Sequence, residues 1–430
     1  AGYSSGYFDG YLTEVNFIDG QALTPSDFGE YNAITGVWQP VGYAGTYGTN
    51  GFYLPMKLDN TTEGFNTVTY IGNGSTNKIS GVGFSPDLVW IKSRNQAEPH
   101  ALFDTIRGAN KNLSSSTTNA EGTQTDMLMS FENDGMVLGS DGNWQVNRNG
   151  YNYVAWCWDA GSSTVSNTDG SITSSVRANP DYGFSVVTYT GTGANATVGH
   201  GLGAAPSMVI VKNRNNATSW VVWHTAISPA SNFYVLLDST AGKTNAYNMW
   251  NSTSPTSTVF SLGTDGAVNN NTQNLVAYCF SEIAGYSKFG SYTGTGASGN
   301  AVTTGFKPAF VMIKSSNNVT NWMMYDATRD GTSLVTKYLT ANTSGAEGTL
   351  SPSVEFTSTG FTVNYNASPL NSSGDTYIYM AFKDTREYAF WLDDSGNNND
   401  WQPSGGITTG STVTDTPTPY LDGGNYAVLN

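Results

Sequence analysis

GVGFSPDLVWIK (81–92), GHGLGAAPSMVIVK (199–212) and VTTGFKPAFVMIK (302–314) are three versions of one phrase. In each, a glycine-bearing turn leads to a proline, and a lysine follows six residues later: Pro86/Lys92, Pro206/Lys212 and Pro308/Lys314. The runs DLVWIK, SMVIVK and AFVMIK are short and rich in β-branched and large apolar residues, which predicts strands. A proline just before such a strand costs the ladder little, because its missing N–H falls at the edge.

Working outward, the repeat widens. Upstream of each phrase lies a tyrosine followed by spaced glycines, at 70–74, 189–193 and 292–296. Eleven residues after each lysine comes an aromatic, Phe103, Trp223 and Tyr325. Each copy closes on an apolar run: YVAWCW (153–158), LVAYCF (275–280) and YIYMAF (377–382). A self-similar period of this length marks a repeated module. The copies occupy 64–161, 183–285 and 288–384. The Ser/Thr/Asn-rich stretch 162–182 reads as a linker between the first two. Short strands with glycine-rich turns predict a small two-sheet sandwich for each copy.

Composition supports an all-β fold of three tandem sandwich-like modules. Charged residues are 12% of the 430, aromatics 13%, and there are 49 glycines. No sustained helical stripe of Leu, Ala, Glu and Lys occurs. The formal net charge of −15 repels phosphate and anionic lipid, so nucleic acid is not an expected partner. No apolar run approaches the roughly 18–20 residues of a membrane-spanning helix, so membrane insertion is not expected either.

Internal copies can be compared with one another. Cys157 and Cys279 fall at one position of the closing run, where the third copy has Ala381, which predicts tight packing and no disulfide. Twelve residues after each lysine come Asp104, His224 and Asp326, and three further on come Arg107, Ile227 and Arg329. Where Asp becomes His, Arg becomes Ile. That joint change predicts ion pairs Asp104–Arg107 and Asp326–Arg329 in the outer copies alone.

Motifs for chemistry are scarce. His100, His200 and His224 share no metal-ligand spacing, and no zinc, phosphate-loop or nucleophile-elbow motif occurs. Glu14, Glu132, Glu347 and Asp393 are candidate carboxylates for glycoside cleavage, but nothing in the sequence pairs them. The run LDDSGNNNDW (392–401) gathers Asp393, Asp394, Asn397, Asn399 and Asp400, hard oxygen donors of the kind calcium takes; an Asx-rich turn is the alternative. Trp220 and Trp322, at matched positions, are the candidate ligand-stacking residues.

The flanks carry a resemblance. DGYLTEVNFIDGQALTPSDFGE (9–30) resembles the closing strand and turn of laminin-G/concanavalin-A-like sandwiches. TGVWQPVGYAGTYGTNGFYLPM (35–56), DDSGNNNDWQPSG (393–405) and TDTPTPYLDGGNYAVLN (414–430) resemble motifs of tailed-phage virion proteins, notably of marine phages, and the triplicated module resembles a repeat inserted between them. The resemblance implies that 1–63 is the last part of a laminin-G-like sandwich plus a connector, with 385–430 a terminal segment. The earlier strands of that sandwich are expected to precede Ala1. It further implies a non-enzymatic protein of the virion surface, in a tail or capsid fibre. Its expected partners are other virion proteins, host-surface glycans and copies of itself, in a trimer. A purely structural particle decoration and a polysaccharide depolymerase are the alternatives.

Overall fold

The structure, a computed structural model, describes residues 14–32, 36–54, 63–227 and 229–385, together with the strands Thr412–Asp415 and Tyr426–Leu429. The chain divides into two units, one made of 1–60 with 386–430 and one of 61–385. The first contains short antiparallel ladders: Val15–Phe17 with Phe52–Leu54, Gly29–Tyr31 with Trp38–Pro40, and Thr412–Asp415 with Tyr426–Leu429.

Unit 61–385 is all-β and holds the three modules. Each is built on the same four antiparallel strands, in the spatial order first, closing, central, outer. In the first module these are Phe65–Ile71, Asn152–Trp158, Leu88–Ser93 and Ala101–Asp104. Their counterparts are Phe184–Thr190, Asn274–Phe280, Met208–Asn213 and Val221–His224 in the second. In the third they are Ser287–Thr293, Thr376–Lys383, Pro308–Ser315 and Met323–Asp326. A second layer covers one face of each sheet. Its shared element is a two-strand ladder: Asn77–Ser80 with Gly135–Leu138, Ala196–Gly199 with Val259–Leu262, and Asn300–Thr303 with Gly360–Val363. In the third module the long strands Leu334–Thr340 and Gly348–Thr357 carry the main sheet round into this second layer.

Side-chain alternation sends the two faces of each closing strand to different cores. Tyr153, Ala155 and Cys157 face the interior of their own sandwich, as do Leu275, Ala277, Cys279 and Tyr377, Tyr379, Ala381 in theirs. The intervening residues, Val154, Trp156, Trp158, Val276, Tyr278, Phe280, Ile378, Met380 and Phe382, all enter one shared core between the modules. Both faces are therefore dry, and the strand sequence is apolar throughout instead of alternating. The two cysteines are free and buried, and burial pushes both thiol pKa values up. At one end of the shared core Phe65, Trp158, Phe184, Phe280, Phe289, Phe310 and Phe382 pack ring against ring, with centroids 4.8–6.4 Å apart.

The tyrosine–glycine motif is a lock on the first turn. Each tyrosine hydroxyl donates to a main-chain carbonyl before the closing strand: Tyr70 to Val146, Tyr189 to Val268 and Tyr292 to Leu370 (2.6–2.7 Å). The next residue is always a buried asparagine, Asn147, Asn269 or Asn371. Its Oδ1 accepts from the turn amides of Asn73, Thr192 and Thr295, and its amide donates back to the carbonyls of Ser75, Ala194 and Ala297. The first glycine of the motif is required by close approach. A Cβ on Gly72, Gly191 or Gly294 would lie 2.0–2.3 Å from the carbonyl of Arg148, Asn270 or Ser372. The second, Gly74, Gly193 or Gly296, sits at φ of 68–71°, where a side chain is strained.

The stretch 162–182 is not a linker. Thr164–Asn167 and Ser174–Asn179 form two further strands that extend the second module's sheet beyond Phe184–Thr190. Val176 enters that module's core, and Arg177 pairs with the buried Asp87 of the first module at 2.6 Å. The hydroxyl-rich composition hid strands whose exposed positions are mostly Ser and Thr.

Trp158→Ala tests the shared core. Truncating a fully buried tryptophan there should cost about 3–5 kcal/mol, and urea unfolding should show the loss in all three modules together. Destabilisation of the first module alone would contradict a common core.

Candidate functional site

Most of the residues singled out in the sequence lie where one module meets the next. The modules contact one another in a fixed sense, second onto first, third onto second and first onto third, closing a ring. Trp220 Nε1 donates to Ser114 O (2.8 Å) and Trp322 Nε1 to Leu236 O (2.8 Å). The first module carries His100 at the matching place, eight residues after its lysine. Trp90 Nε1 donates to His100 Nδ1 (2.7 Å), so the proton sits on Nε2, which donates to Thr340 O (3.0 Å). Trp220 and Trp322 are 0% and 1% exposed. They offer no face to a ligand, and their expected stacking role is corrected to one of joining modules. A half-apolar ring with one N–H suits a dry interface that contains one carbonyl.

Two of the three repeated lysines serve the same junctions. Lys92, Lys212 and Lys314 are buried with their ammonium groups on main-chain carbonyls. Lys212 reaches Thr118 O of the first module (3.2 Å) and Lys314 reaches Thr240 O of the second (3.0 Å). Each also bonds the carbonyl of the next residue and that of the residue four on. Burial pushes all three down to about 8, so they stay charged at neutral pH.

Two of the three junctions are ionic. Asp104 pairs with Arg107 and Asp326 with Arg329, all four side chains fully buried. Each aspartate also accepts the main-chain amide of its arginine, at 2.8 and 2.9 Å. The pairs extend across the junctions: Tyr278 of the second module donates to Asp104 Oδ2 (2.8 Å), and Trp156 of the first donates to Asp326 Oδ2 (3.1 Å). Outside them, Arg107 bonds Glu121 and Arg329 bonds Glu347, both at 3.1 Å. Glu121 is held in turn by a two-pronged contact from Arg214 (2.8 and 2.8 Å), and Glu347 by one from Arg94 (3.0 and 3.0 Å). The third junction is built without these charges. There His224 takes the Asp position and donates Nε2–H to Tyr379 O (3.1 Å), Ile227 takes the Arg position, and Met380 stands where Trp156 and Tyr278 stand elsewhere. The swap seen in the sequence is therefore a three-residue exchange across a junction.

The remaining candidates lie apart. Glu347 is committed to Arg94 and Arg329, while Glu14 accepts from the Tyr53 hydroxyl and Glu132 from Ser130 Oγ at 2.6 Å. Asp393, Asp394, Asn397, Asn399 and Asp400 lie outside the described residues. Among the described residues no group of three metal-ligating side chains gathers. A void of about 10 Å³ at the ring centre is lined by Leu88, Trp158, Ile210, Phe280, Phe310 and Met380, and an apolar void of that size stays dry. A surface cleft of about 340 Å³ opens between Thr240 and the third module's Val319, Tyr338, Leu350 and Pro369.

A family model, described as a domain of unknown function (DUF7483), matches residues 60–385. The chain belongs to the DUF7483 family. The matched span coincides with the structural unit 61–385, so the DUF7483 domain is the whole ring of modules and not one of them. Neither the curated proteins nor the solved structures compared with the chain gave a match.

Two outcomes follow for the DUF7483 ring. Asp104→Asn should cost about 3–5 kcal/mol by leaving Arg107 buried with its nearest charge removed. The triple variant Asp104→His, Arg107→Ile, Tyr278→Met copies the third junction and should recover much of that loss in urea titrations; failure to recover any would contradict the exchange.

Stability should also fall on acidification. Burial holds His100 down at about 3 and His224 at about 4, whereas the unfolded chain takes up protons near 6.5. Their contribution is thus complete above pH 6.5 and is lost as the pH falls towards 3. The urea midpoint should follow that window, and His100→Gln, which keeps a donor and an acceptor without titrating, should make the fall shallower, leaving the part due to His224.

Proposed function

We propose that this protein is a non-catalytic component of a tailed-phage surface appendage, and that its DUF7483 ring is an adhesion head for host-surface glycans. The observation that carries this reading is the placement of the chain crossings. The ring is an insertion between 1–60 and 386–430. Its first strand begins at Phe65 beside the end of one closing strand, Trp158, and the last closing strand runs out at Lys383 beside Tyr286. The Phe65 and Phe382 rings stack at 4.9 Å, so the chain enters and leaves at one end of the ring. The glycine turns and the loops after Lys92, Lys212 and Lys314 lie at the opposite end of the strands. A head held at one end and presenting loops at the other suits attachment.

Composition agrees with an extracellular particle. Its surface residues are mainly neutral and polar, and five of the six arginines among the described residues are spent on carboxylates at module junctions. Weak loop contacts gain durability when several chains act together, and trimeric assembly with other virion proteins belongs to this reading. A structural decoration without ligand is the second reading. It is favoured by Trp220 and Trp322, whose burial removes a stacking site repeated in every module.

The test uses the full chain on an array of bacterial surface polysaccharides and on host cells, with antibody against 61–385 applied to intact particles. Surface labelling with retention of at least one polysaccharide is the expected result. Labelling without any glycan or cell binding would leave the decoration reading, and no labelling would remove both.

A further inference from the structure

One surface feature of the ring has no counterpart in the other modules. In the loop before the first module's closing strand, Trp144 is 48% exposed and sits at φ 64°, a conformation rare for a bulky residue. The Arg148 guanidinium lies 3.8 Å from the Trp144 ring centroid and 4.7 Å from that of Tyr151. Six arginines fall among the described residues. Arg94, Arg107, Arg177, Arg214 and Arg329 each pair with a carboxylate. Among the described residues, Arg148 alone has no carboxylate within 4 Å, although the chain is strongly acidic.

The fold does not require these three side chains. Counting from the matched asparagines, their places are taken by Gly266, Asn270 and Gln273 in the second module and by Ser368, Ser372 and Asp375 in the third. The main-chain bonds are nevertheless the same: Gly72 N to Tyr151 O, Gly191 N to Gln273 O and Gly294 N to Asp375 O, each 2.8 Å. The loop is also tied down by buried hydrogen bonds. Buried Asp141 turns its carboxylate inward onto the amides of Val146 (2.6 Å) and Asn147 (3.0 Å), and Tyr153 Oη donates to Trp144 O (2.9 Å). Asp126 likewise spends Oδ2 on the Gly142 amide (2.9 Å). A preformed aromatic platform loses little entropy when it is covered.

We propose that Trp144, Arg148 and Tyr151 form a binding site for a carboxylate-bearing sugar, the uronate class. The indole face that Arg148 leaves uncovered stacks on the apolar face of the pyranose, and the guanidinium takes the carboxylate in a two-pronged, charge-assisted contact along its edge. Tyr151 adds a second cation–π contact to the guanidinium. This rests on the adhesion reading and gives it a place and a ligand class.

The experiment measures binding of the full chain to oligogalacturonate and oligomannuronate, and to the neutral galacto- and manno-oligosaccharides of equal length, by calorimetry and tryptophan fluorescence. The wild type should prefer the acidic oligomers. Arg148→Gln should weaken them by about tenfold or more and remove the preference. Trp144→Ser, which installs the third module's residue, should abolish binding of both kinds with an unchanged melting temperature. Uronate affinity unchanged in either variant overturns the site, and so does a wild type that prefers the neutral oligomers. If the wild type holds a host polysaccharide equally well in both variants, the site fails while adhesion stands. If it holds neither uronate nor host polysaccharide, both fail.

Discussion

The structure of the ring depends on one constraint: the main sheet of every module must be covered on both faces. One face is closed by the module's own second layer. The other holds Trp156 and Trp158, Tyr278 and Phe280, or Met380 and Phe382, and nothing within the same module covers them. Three such faces meeting at a common centre satisfy one another. At about 25 cal/mol per Å² of apolar surface removed from water, exposing a face with two such large side chains costs more than a small sandwich can spare. The ring thus leaves each module dry on both sides, which agrees with a family boundary drawn around all three.

Burying that centre also buries the ends of its strands, where backbone carbonyls are left over. Lys212 and Lys314, and the indole or imidazole eight residues after each repeated lysine, bond those carbonyls at the junctions. The arginine–carboxylate chains do a different job. A buried ion pair gains little over a well-packed apolar substitute, and the protein displays both solutions side by side. Two junctions use Asp, Arg and a donor from the neighbour, and the third uses His, Ile and Met. Their coexistence in one fold argues that the ionic sets fix which module faces which, since a charged face docked on Met380 would leave Asp and Arg without their third partner.

Much of this was legible in the sequence, for physical reasons. Repetition exposed the modules, and strand runs bounded by glycine and proline gave the all-β class. The joint loss of Asp and Arg from the middle copy pointed to residues that the structure places in contact. What the sequence did not disclose is where each repeated residue points. Trp220 and Trp322 read as stacking residues because a matched aromatic in a polar loop looks exposed; their N–H groups reach carbonyls of another module, which no local pattern encodes. The unbroken apolar runs YVAWCW and LVAYCF did carry the signal, because a sandwich strand with one wet face should alternate. The buried asparagine six residues before each closing run was equally visible as a repeat. The hairpin in 162–182 was hidden by serines and threonines that behave as turn formers in one setting and as outward strand positions in another.

Repetition also separates what the fold needs from what it merely tolerates. Positions kept in all three copies, the tyrosine, the two glycines, the asparagine and the lysine, each hold main-chain geometry. Positions that differ while the main-chain bonds stay the same are free of that duty. The loop carrying Trp144 is such a place, because glycine and serine serve there equally well in the sister modules. An exposed indole in a left-handed conformation is not what packing alone selects at a free position. The shared architecture therefore supplies its own control, and the feature peculiar to one module is where a role beyond folding is to be sought.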